Sequence, residues 1–437
     1  MHFKNTCLVF LFFSNIFLSA QTKPNIIYLM ADDLGYADLS CYGRKDYQTP
    51  NLDKLAAQGV RFMNAYAAAP VCTPTRVAFF TGRYPAHIPV GLHEPLDWIK
   101  KDSSVGLDSS YTTLPSLLKK SGYETFLVGK WHLGFKPEHS PLRNGFDYFF
   151  GFHGGAIDYI SHTDPQGHND LYENDRPQTI NGYMTDLLMQ KSVEIIRRDH
   201  KKPFFLCITF NAPHWPWQGP NDSAYAHGME NWTKGGSATR YSEMMNSLDN
   251  AVGQIMSALD GSNFASNTVV IFTSDNGGER FSDNGIYKGG KMSLWEGGIR
   301  EPAFVRWPGK IREKSVTNQV VTTMDWTATI LSLANGKVDP KLHLDGIDVM
   351  PMITGRQKEV NRTVFWRISQ RKQNKAVRDG NWKYLQDEKG NEYIFDLVKD
   401  PKEENNLKDQ HHDIFEKLKT KYADWEQTVL PPVPLGN

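Results

Sequence analysis

Ile26-Ile27-Tyr28-Leu29-Met30-Ala31-Asp32-Asp33 decides the fold. Its first five residues are a short apolar run, the pattern of a strand buried on both faces, and the run stops at two carboxylates. The same grammar returns three times. Thr125-Phe126-Leu127-Val128 ends in Gly129-Lys130-Trp131-His132, Phe204 to Phe210 ends in Asn211-Ala212-Pro213-His214, and Thr268 to Thr273 ends in Ser274-Asp275-Asn276-Gly277-Gly278. Helical patterns lie between them. One short helix opens at Thr49-Pro50 and closes at Gly59; another opens at Thr113-Leu114-Pro115 and closes at Gly122. A third runs from about Tyr183 to Arg198. A fourth runs from about Arg240 to Leu259, with Met244, Leu248, Val252, Ile255 and Leu259 at helical spacing. Apolar strands alternating with helices predict an α/β fold, a large α/β/α sandwich around a mainly parallel central sheet. Ligands bind beyond the carboxyl ends of such strands. Four strands that deliver ionisable residues to that end predict one shared site.

Outward from this core the pattern predicts further strands at Ala303–Arg306 and Val320–Met324, and a helix from about Trp326 to Leu333. Pro137 to about Pro177 and Trp215 to Gly236 read as long loops without a period, rich in Gly, His, Asp and aromatics. After roughly Leu344 the texture changes to short antiparallel strands, Thr363–Ile368, Lys375–Val377, Trp382–Gln386 and Tyr393–Leu397. Asp379-Gly380 and Lys389-Gly390-Asn391 supply turns, and an amphipathic helix follows from about His411 to Trp425. The expected division is a leader over 1–20, the main domain over 21–343 and a smaller C-terminal α+β domain with an antiparallel sheet over 344–437.

The chain has 437 residues, with 49 basic and 49 acidic side chains. That length suits two domains. The balance gives no global attraction to nucleic acid or to an anionic membrane, so any anion preference is local. The first residues read as an export signal: Lys4, an apolar stretch over Leu8–Phe17 and the small-residue site Leu18-Ser19-Ala20. The expectation is a periplasmic or secreted protein, cleaved near Ala20, with no stable membrane insertion. Cys7 leaves with that leader. Cys41, Cys72 and Cys207 remain, too few for a disulfide scaffold, and no Cys41–Cys207 bridge is expected.

Cys72-Thr73-Pro74-Thr75-Arg76, followed by an apolar run that stops at Gly82, reads as a helix start. Thr73 suits the cap, Pro74 the first helical position and Gly82 the end. A thiol then sits where free N–H groups and the helix dipole favour an anion, with Arg76 one turn inside. Asp32, Asp33, Asp275 and Asn276 are hard oxygen ligands, a set that favours calcium or magnesium over zinc. Arg76, Lys130, His132, His214 and Lys291 form a cationic half that would surround an anionic transition state.

With these residues in view, the chain resembles the type I sulfatases of the alkaline phosphatase superfamily. The likeness rests on Cys72-Thr73-Pro74-Thr75-Arg76 with Thr81-Gly82-Arg83, on Pro24 to Gly35, on Gly129 to Gly134, on Ser274 to Gly278 and on Lys291 through Pro302. The resemblance implies that Cys72 is oxidised to formylglycine (3-oxoalanine) by a maturation enzyme that reads Cys-x-Pro-x-Arg. It implies that Asp32, Asp33, Asp275, Asn276 and an oxygen of residue 72 bind one Ca2+, with Mg2+ the lesser alternative. The formylglycine hydrate would attack sulfur, activated by Arg76, with Asp275 placed to take its proton. Lys130 and Lys291 would hold sulfate, and His214, with Lys291 helping, would protonate the leaving alcohol. His132 would then release sulfate by taking the remaining hydroxyl proton. His153 and Asp158 stand where a further sulfate contact is expected. Trp215, with Trp98, Trp217, His162 and His168, sits in loops suited to a sugar. A sulfated carbohydrate is the implied partner: ulvan, a carrageenan-type galactan or a glycosaminoglycan, ahead of a small aryl sulfate. A phosphomonoester or phosphodiester hydrolase of the same superfamily and a non-catalytic glycan-binding relative are the alternatives.

Overall fold

The computed structural model describes residues 23–96, 104–335, 339–370 and 373–432. The leader with Cys7 and its cleavage site, and Trp98, lie outside the described residues. An 11-stranded sheet forms the centre. Across its middle run Thr268–Ser274, Asn25–Ala31, Phe204–Thr209, Glu124–Lys130 and Tyr148–Phe152, each parallel to its neighbour. Arg300–Arg306 pairs antiparallel with Thr268–Ser274 and with Val60–Tyr66 on its other side. The sheet is therefore mixed at that edge.

Alternation along the strands builds the two layers. Ile27, Leu29 and Ala31 face a core shared with the helices Pro50–Ala57, Met184–Ile196 and Ala238–Asp260. Ile26, Tyr28 and Met30 face the opposite core, shared with Cys72–Thr81, Leu114–Lys120 and Thr323–Asn335. Period-two side chains on one strand thus fill both sides, as expected for a buried parallel sheet. The expected sandwich is the observed architecture.

Some local expectations change. Tyr148–Phe152 lies inside the stretch read as loop, yet it is a strand beside Glu124–Lys130. Its five residues, Tyr-Phe-Phe-Gly-Phe, are too few to show a period. Val320–Met324 keeps a strand only at Val321–Thr322. The helix takes over at Thr323 because the Asp325 carboxylate accepts the Thr322 N–H at 2.6 Å, half of a capping box. Thr113 caps its helix as expected, accepting from Ser116 N.

The C-terminal unit is a four-stranded antiparallel sheet over Thr363–Ile368, Asn374–Asp379, Trp382–Gln386 and Glu392–Asp396. Val377, Tyr384 and Ile394 pack on the closing helix His412–Glu426. Val364, Trp366, Leu385 and Phe395 pack instead against Tyr66, Leu294 and Ile299 of the main body. Val349, Met350 and Ile353 still belong to the core beneath the large sheet. Among the described residues no helix is long and apolar enough to cross a membrane.

Candidate active site

Four parallel neighbours end side by side, so their polar termini meet. Asp32 follows Ala31, Lys130 closes Glu124–Lys130, His214 follows Thr209 by five residues, and Asp275 follows Ser274. Lys130 Nζ lies 2.6 Å from Asp32 Oδ2, with both side chains fully buried. Asp33 accepts from Lys291 Nζ at 2.7 Å and from Asn276 Nδ2 at 2.7 Å. Its Oδ2 is 3.5 Å from His214 Nε2. Asp33 adopts φ 64° and His132 φ 57°, left-handed conformations that cost free energy and cluster at functional sites.

Cys72 is the first residue of its helix, and Gly82 ends that helix in the left-handed conformation at φ 68°. The cap expectation for Thr73 fails: the cap position is Val71, in extended backbone and without a side-chain cap. Thr73 turns inward. Its Oγ donates to the His132 carbonyl at 3.2 Å and accepts from Leu96 N at 3.0 Å. Arg76 is fully buried one turn in. It donates to Asp275 Oδ2 at 3.0 Å and to the Lys130 carbonyl at 3.0 Å. Burial works against its charge, but Asp275 and Asp32 outweigh that and raise its pKa. Burial likewise opposes Lys291, and Asp33 and Glu279 overcome it. Both cations are therefore fixed.

The two histidines are held differently. His214 Nδ1 meets the Trp215 carbonyl at 2.6 Å, and His132 Nε2 meets the Leu96 carbonyl at 3.1 Å. A carbonyl only accepts, so each contacting nitrogen carries the proton, which leaves Nε2 of His214 and Nδ1 of His132 as bases. Burial lowers both pKa values far below the usual range. Lys291 and Lys130 add to this at His214, and Lys130 and Arg76 at His132. Burial raises the Cys72 thiol above its ordinary value, against the pull of Lys130 and Lys291. A protonated buried thiol is a weak nucleophile.

The donor set suits a hard divalent cation. Ligand atoms of Asp32, Asp33 and His214 lie within 4.8 Å of one another, as do those of Asp32, Cys72 and Asp275. Asp32 Oδ1 and Asn276 Oδ1 are buried and receive no hydrogen bond, which is costly unless something else meets them. Burial and the neighbouring Asp275 raise the Asp32 pKa well above the carboxylate range, against the pull of Lys130 and Arg76. Oxygen donors in this number favour calcium or magnesium.

The other sequence candidates stand in different relations to the site. Asp158 is fully buried and accepts from Ile160 N, Ser161 N, Gln218 Nε2 and Tyr225 N, so it organises its loop. His153 is stacked between Phe149 and Tyr172 at 5.3 and 4.7 Å. Trp215 joins the site through its carbonyl and through its ring, 4.3 Å from that of His214. Trp217 is buried against Phe281, His162 bonds the Gly182 carbonyl, and His168 is exposed beside Asp164. Sequence reasoning missed Glu279, 3.5 Å from Lys291, although it directly follows Gly277-Gly278. It also missed Asn211, whose buried amide has no hydrogen-bond partner and whose only signal was its place at a strand end. Cys41, Cys72 and Cys207 form no disulfide with one another. A separate cleft of about 580 Å³ beside Asn51, Glu243 and Gln254 contains none of the site residues.

Known proteins resemble the chain over most of its length. The family model described as Sulfatase matches residues 24–336, and one described as N-sulphoglucosamine sulphohydrolase, C-terminal, matches residues 285–428. The chain is 35% identical over 371 residues to N-acetylgalactosamine-6-sulfatase of Rattus norvegicus, covering 79% of this chain and 68% of that protein. It is 37% identical over 348 residues to arylsulfatase J of Mus musculus, covering 77% of this chain but only 56% of that protein. The crystal structure of Ps i-CgsB in complex with k-i-k-neocarrahexaose superposes with a TM-score of 0.83 at 30% identity, covering 95% of each chain.

Proposed function

Since the chain belongs to the sulfatase family and is a sulfuric ester hydrolase, we propose that it removes O-sulfate from a sugar of a sulfated polysaccharide or oligosaccharide. A carrageenan-type galactan or a glycosaminoglycan is the substrate class best supported, because relatives named for such sugars match over most of the chain. The observation that carries the mechanism is the convergence of Asp32, Asp33 and Asp275 with Arg76, Lys130 and Lys291 around the Cys72 helix start. With Glu279 beside Lys291, four carboxylates face three cations, one negative charge in excess when all are ionised. A bound divalent cation would therefore leave positive charge for an anionic ester.

Asp32, Asp33, Asp275, Asn276 and an oxygen of oxidised residue 72 would hold calcium. Bound there, calcium would stabilise charge on the sulfate oxygens and favour the ionised nucleophile. Formylglycine at position 72 would supply that nucleophile as a hydrate hydroxyl, which the protonated thiol of unmodified Cys72 does not.

The remaining roles belong to residues in place. Arg76, fixed by Asp275 and the Lys130 carbonyl, sits within the Cys72 helix and keeps its charge. Asp275 is the carboxylate positioned to take the nucleophile's proton. Lys130 and Lys291 bracket the carboxylates and present ammonium groups to sulfate. His214, through Nε2, handles the leaving alcohol's proton; its low pKa requires the approaching anionic ester to favour its charged form. His132, neutral and bare at Nδ1, takes the proton that releases sulfate. Export through the leader, and maturation by a formylglycine-generating enzyme, complete the reading.

Side-by-side turnover of an aryl sulfate, an aryl phosphate, a phosphodiester and defined sulfated oligosaccharides tests it. Release of sulfate from an oligosaccharide is expected, and dominant phosphoester turnover would overturn the assignment. Intact mass should show residue 72 lighter than cysteine by a sulfur-for-oxygen exchange and two hydrogens.

A further inference from the structure

The C-terminal sheet reaches the chemistry through one buried carboxylate. Glu94 is 3% exposed and lies in the segment between the Cys72–Thr81 helix and the Leu114–Lys120 helix. Its Oε2 accepts from the backbone N–H groups of Ser369 and Gln370, both at 2.7 Å, just past the end of the Thr363–Ile368 strand. Gln370 returns the contact: its Oε1 accepts from Glu94 N at 2.6 Å. Three hydrogen bonds thus tie position 94 to the edge of the smaller sheet.

Two residues on, the Leu96 peptide is gripped on both sides. Its N–H donates to Thr73 Oγ, next to Cys72, and its carbonyl meets His132 Nε2. Thr73 Oγ closes the ring by donating to the His132 carbonyl. The nucleophile position and the His132 imidazole are therefore joined through one residue, Leu96, whose segment is anchored by Glu94.

We propose that Glu94 is a positioning residue: by clamping the chain to Ser369 and Gln370 it holds the Leu96 peptide between Thr73 and His132, and so fixes the imidazole with Nδ1 free. This deepens the proposed function and rests on its assignment of His132. Without the clamp, the segment that carries the Leu96 carbonyl loses its tie to the C-terminal sheet, and the ring loses the fixed acceptor that sets its tautomer. A carboxylate oxygen that takes two N–H groups can be replaced by an amide oxygen, because the requirement is an acceptor and not a charge. The charged and titratable groups that face Glu94 are Arg367 on the C-terminal sheet and Tyr422 on the closing helix. Those that face His132 are Lys130, Arg76 and His214.

The test uses the full chain from a host that matures residue 72, with the modified fraction measured by intact mass for every variant. Glu94→Ala should lower kcat on an aryl sulfate tenfold to a hundredfold with KM within threefold, and should move the acid limb of the kcat–pH profile upward as His132 loosens into solvent. Glu94→Gln should restore most of kcat and the original limb. Gln370→Ala, which removes only the returning contact, should give a smaller loss of the same kind and serves if Glu94→Ala does not fold. A Glu94→Ala enzyme with unchanged kcat and pH profile overturns the proposal. So does an equal loss in Glu94→Ala and Glu94→Gln that follows melting temperature alone. Full activity in His132→Ala would instead overturn the His132 assignment and leave the clamp as a structural contact.

Discussion

Two clusters of buried charge lie at opposite ends of the loop that carries Lys291, and they behave differently. In the first, between the two sheets, Lys383 Nζ lies 2.9 Å from Glu296 Oε1 and 2.8 Å from Glu403 Oε1. Glu296 Oε2 also takes Tyr66 and Arg300, and Glu403 Oε2 takes the Glu296 N–H. Every carboxylate oxygen there lies within 3.0 Å of a cation or a donor. In the second, at the strand ends, Asp32 Oδ1 comes only to 3.8 Å from Arg76 Nη2, Asn276 Oδ1 receives no hydrogen bond, and His132 Nδ1 is bare. Both clusters are fully buried. Burial and charge alone therefore do not mark a reactive centre; convergence with partners left over does. The first cluster ties the end of the Lys291 loop to the C-terminal sheet, through Glu296 with Lys383 and Glu403.

The contrast breaks hardest at Cys72. Cys72→Ala should reduce kcat by about four orders of magnitude or more, the scale of removing a nucleophile, while the melting temperature stays within a few degrees. Near-normal turnover in a steady-state assay would sink the nucleophile assignment. Metal comes next. Exhaustive chelation should abolish measurable turnover, and calcium at a hundredfold excess over its Kd should restore it and add about 2.7 kcal/mol of stability, read by thermal melts with and without the ion. No change in either quantity would remove the metal from the reading.

His214→Ala separates substrates. With a sugar alcohol as leaving group the loss should be about a hundredfold to ten-thousandfold, and with a nitrophenol, which needs no proton, under about tenfold. Equal losses on both would deny His214 the acid role. At the saturated cluster the balance reverses. Lys383→Met leaves Glu296 and Glu403 without their shared cation and should cost about 3–5 kcal/mol in denaturant unfolding, with kcat of the folded enzyme changed far less than in His214→Ala.

The smallest effect concerns pH. Burial lifts Glu94 from 4.5 to about 7, against the two N–H groups and Arg367. The folded state then binds more protons than the unfolded chain between those values, so this group's contribution falls as pH rises through that window. Glu94→Gln should flatten the decline by up to about 3 kcal/mol in unfolding measured from pH 4.5 to 7.5. An unchanged slope would show that Glu94 does not titrate there.

Much of the site was legible before the fold was known. Asp32, Asp33, Lys130, His214, Asp275 and Asn276 each follow an apolar run, and such runs in an α/β chain end at one rim. Lys291 and Arg76 were legible as cations in glycine-rich and helix-start contexts. What failed depended on direction. Asp158 carries the same chemistry as a ligand aspartate, but two donors of its own loop and two of the Trp215–Gly236 loop consume it. Thr73 has the composition of a cap, yet the helix starts two residues earlier than a Thr73 cap would place it and the hydroxyl is drawn to Leu96 and His132.

The sequence by itself determined the layered α/β class, the antiparallel C-terminal sheet and which residue types would gather at the strand ends, because period, turn chemistry and apolar runs are local properties of the chain. Only the tertiary structure decided strand order, the antiparallel Arg300–Arg306 strand, which polar atoms stay unpartnered, and the Glu94 clamp. Those depend on contacts between residues far apart in the chain, such as Glu94 with Ser369 and Arg76 with Asp275, where neighbours compete for the same donors and acceptors.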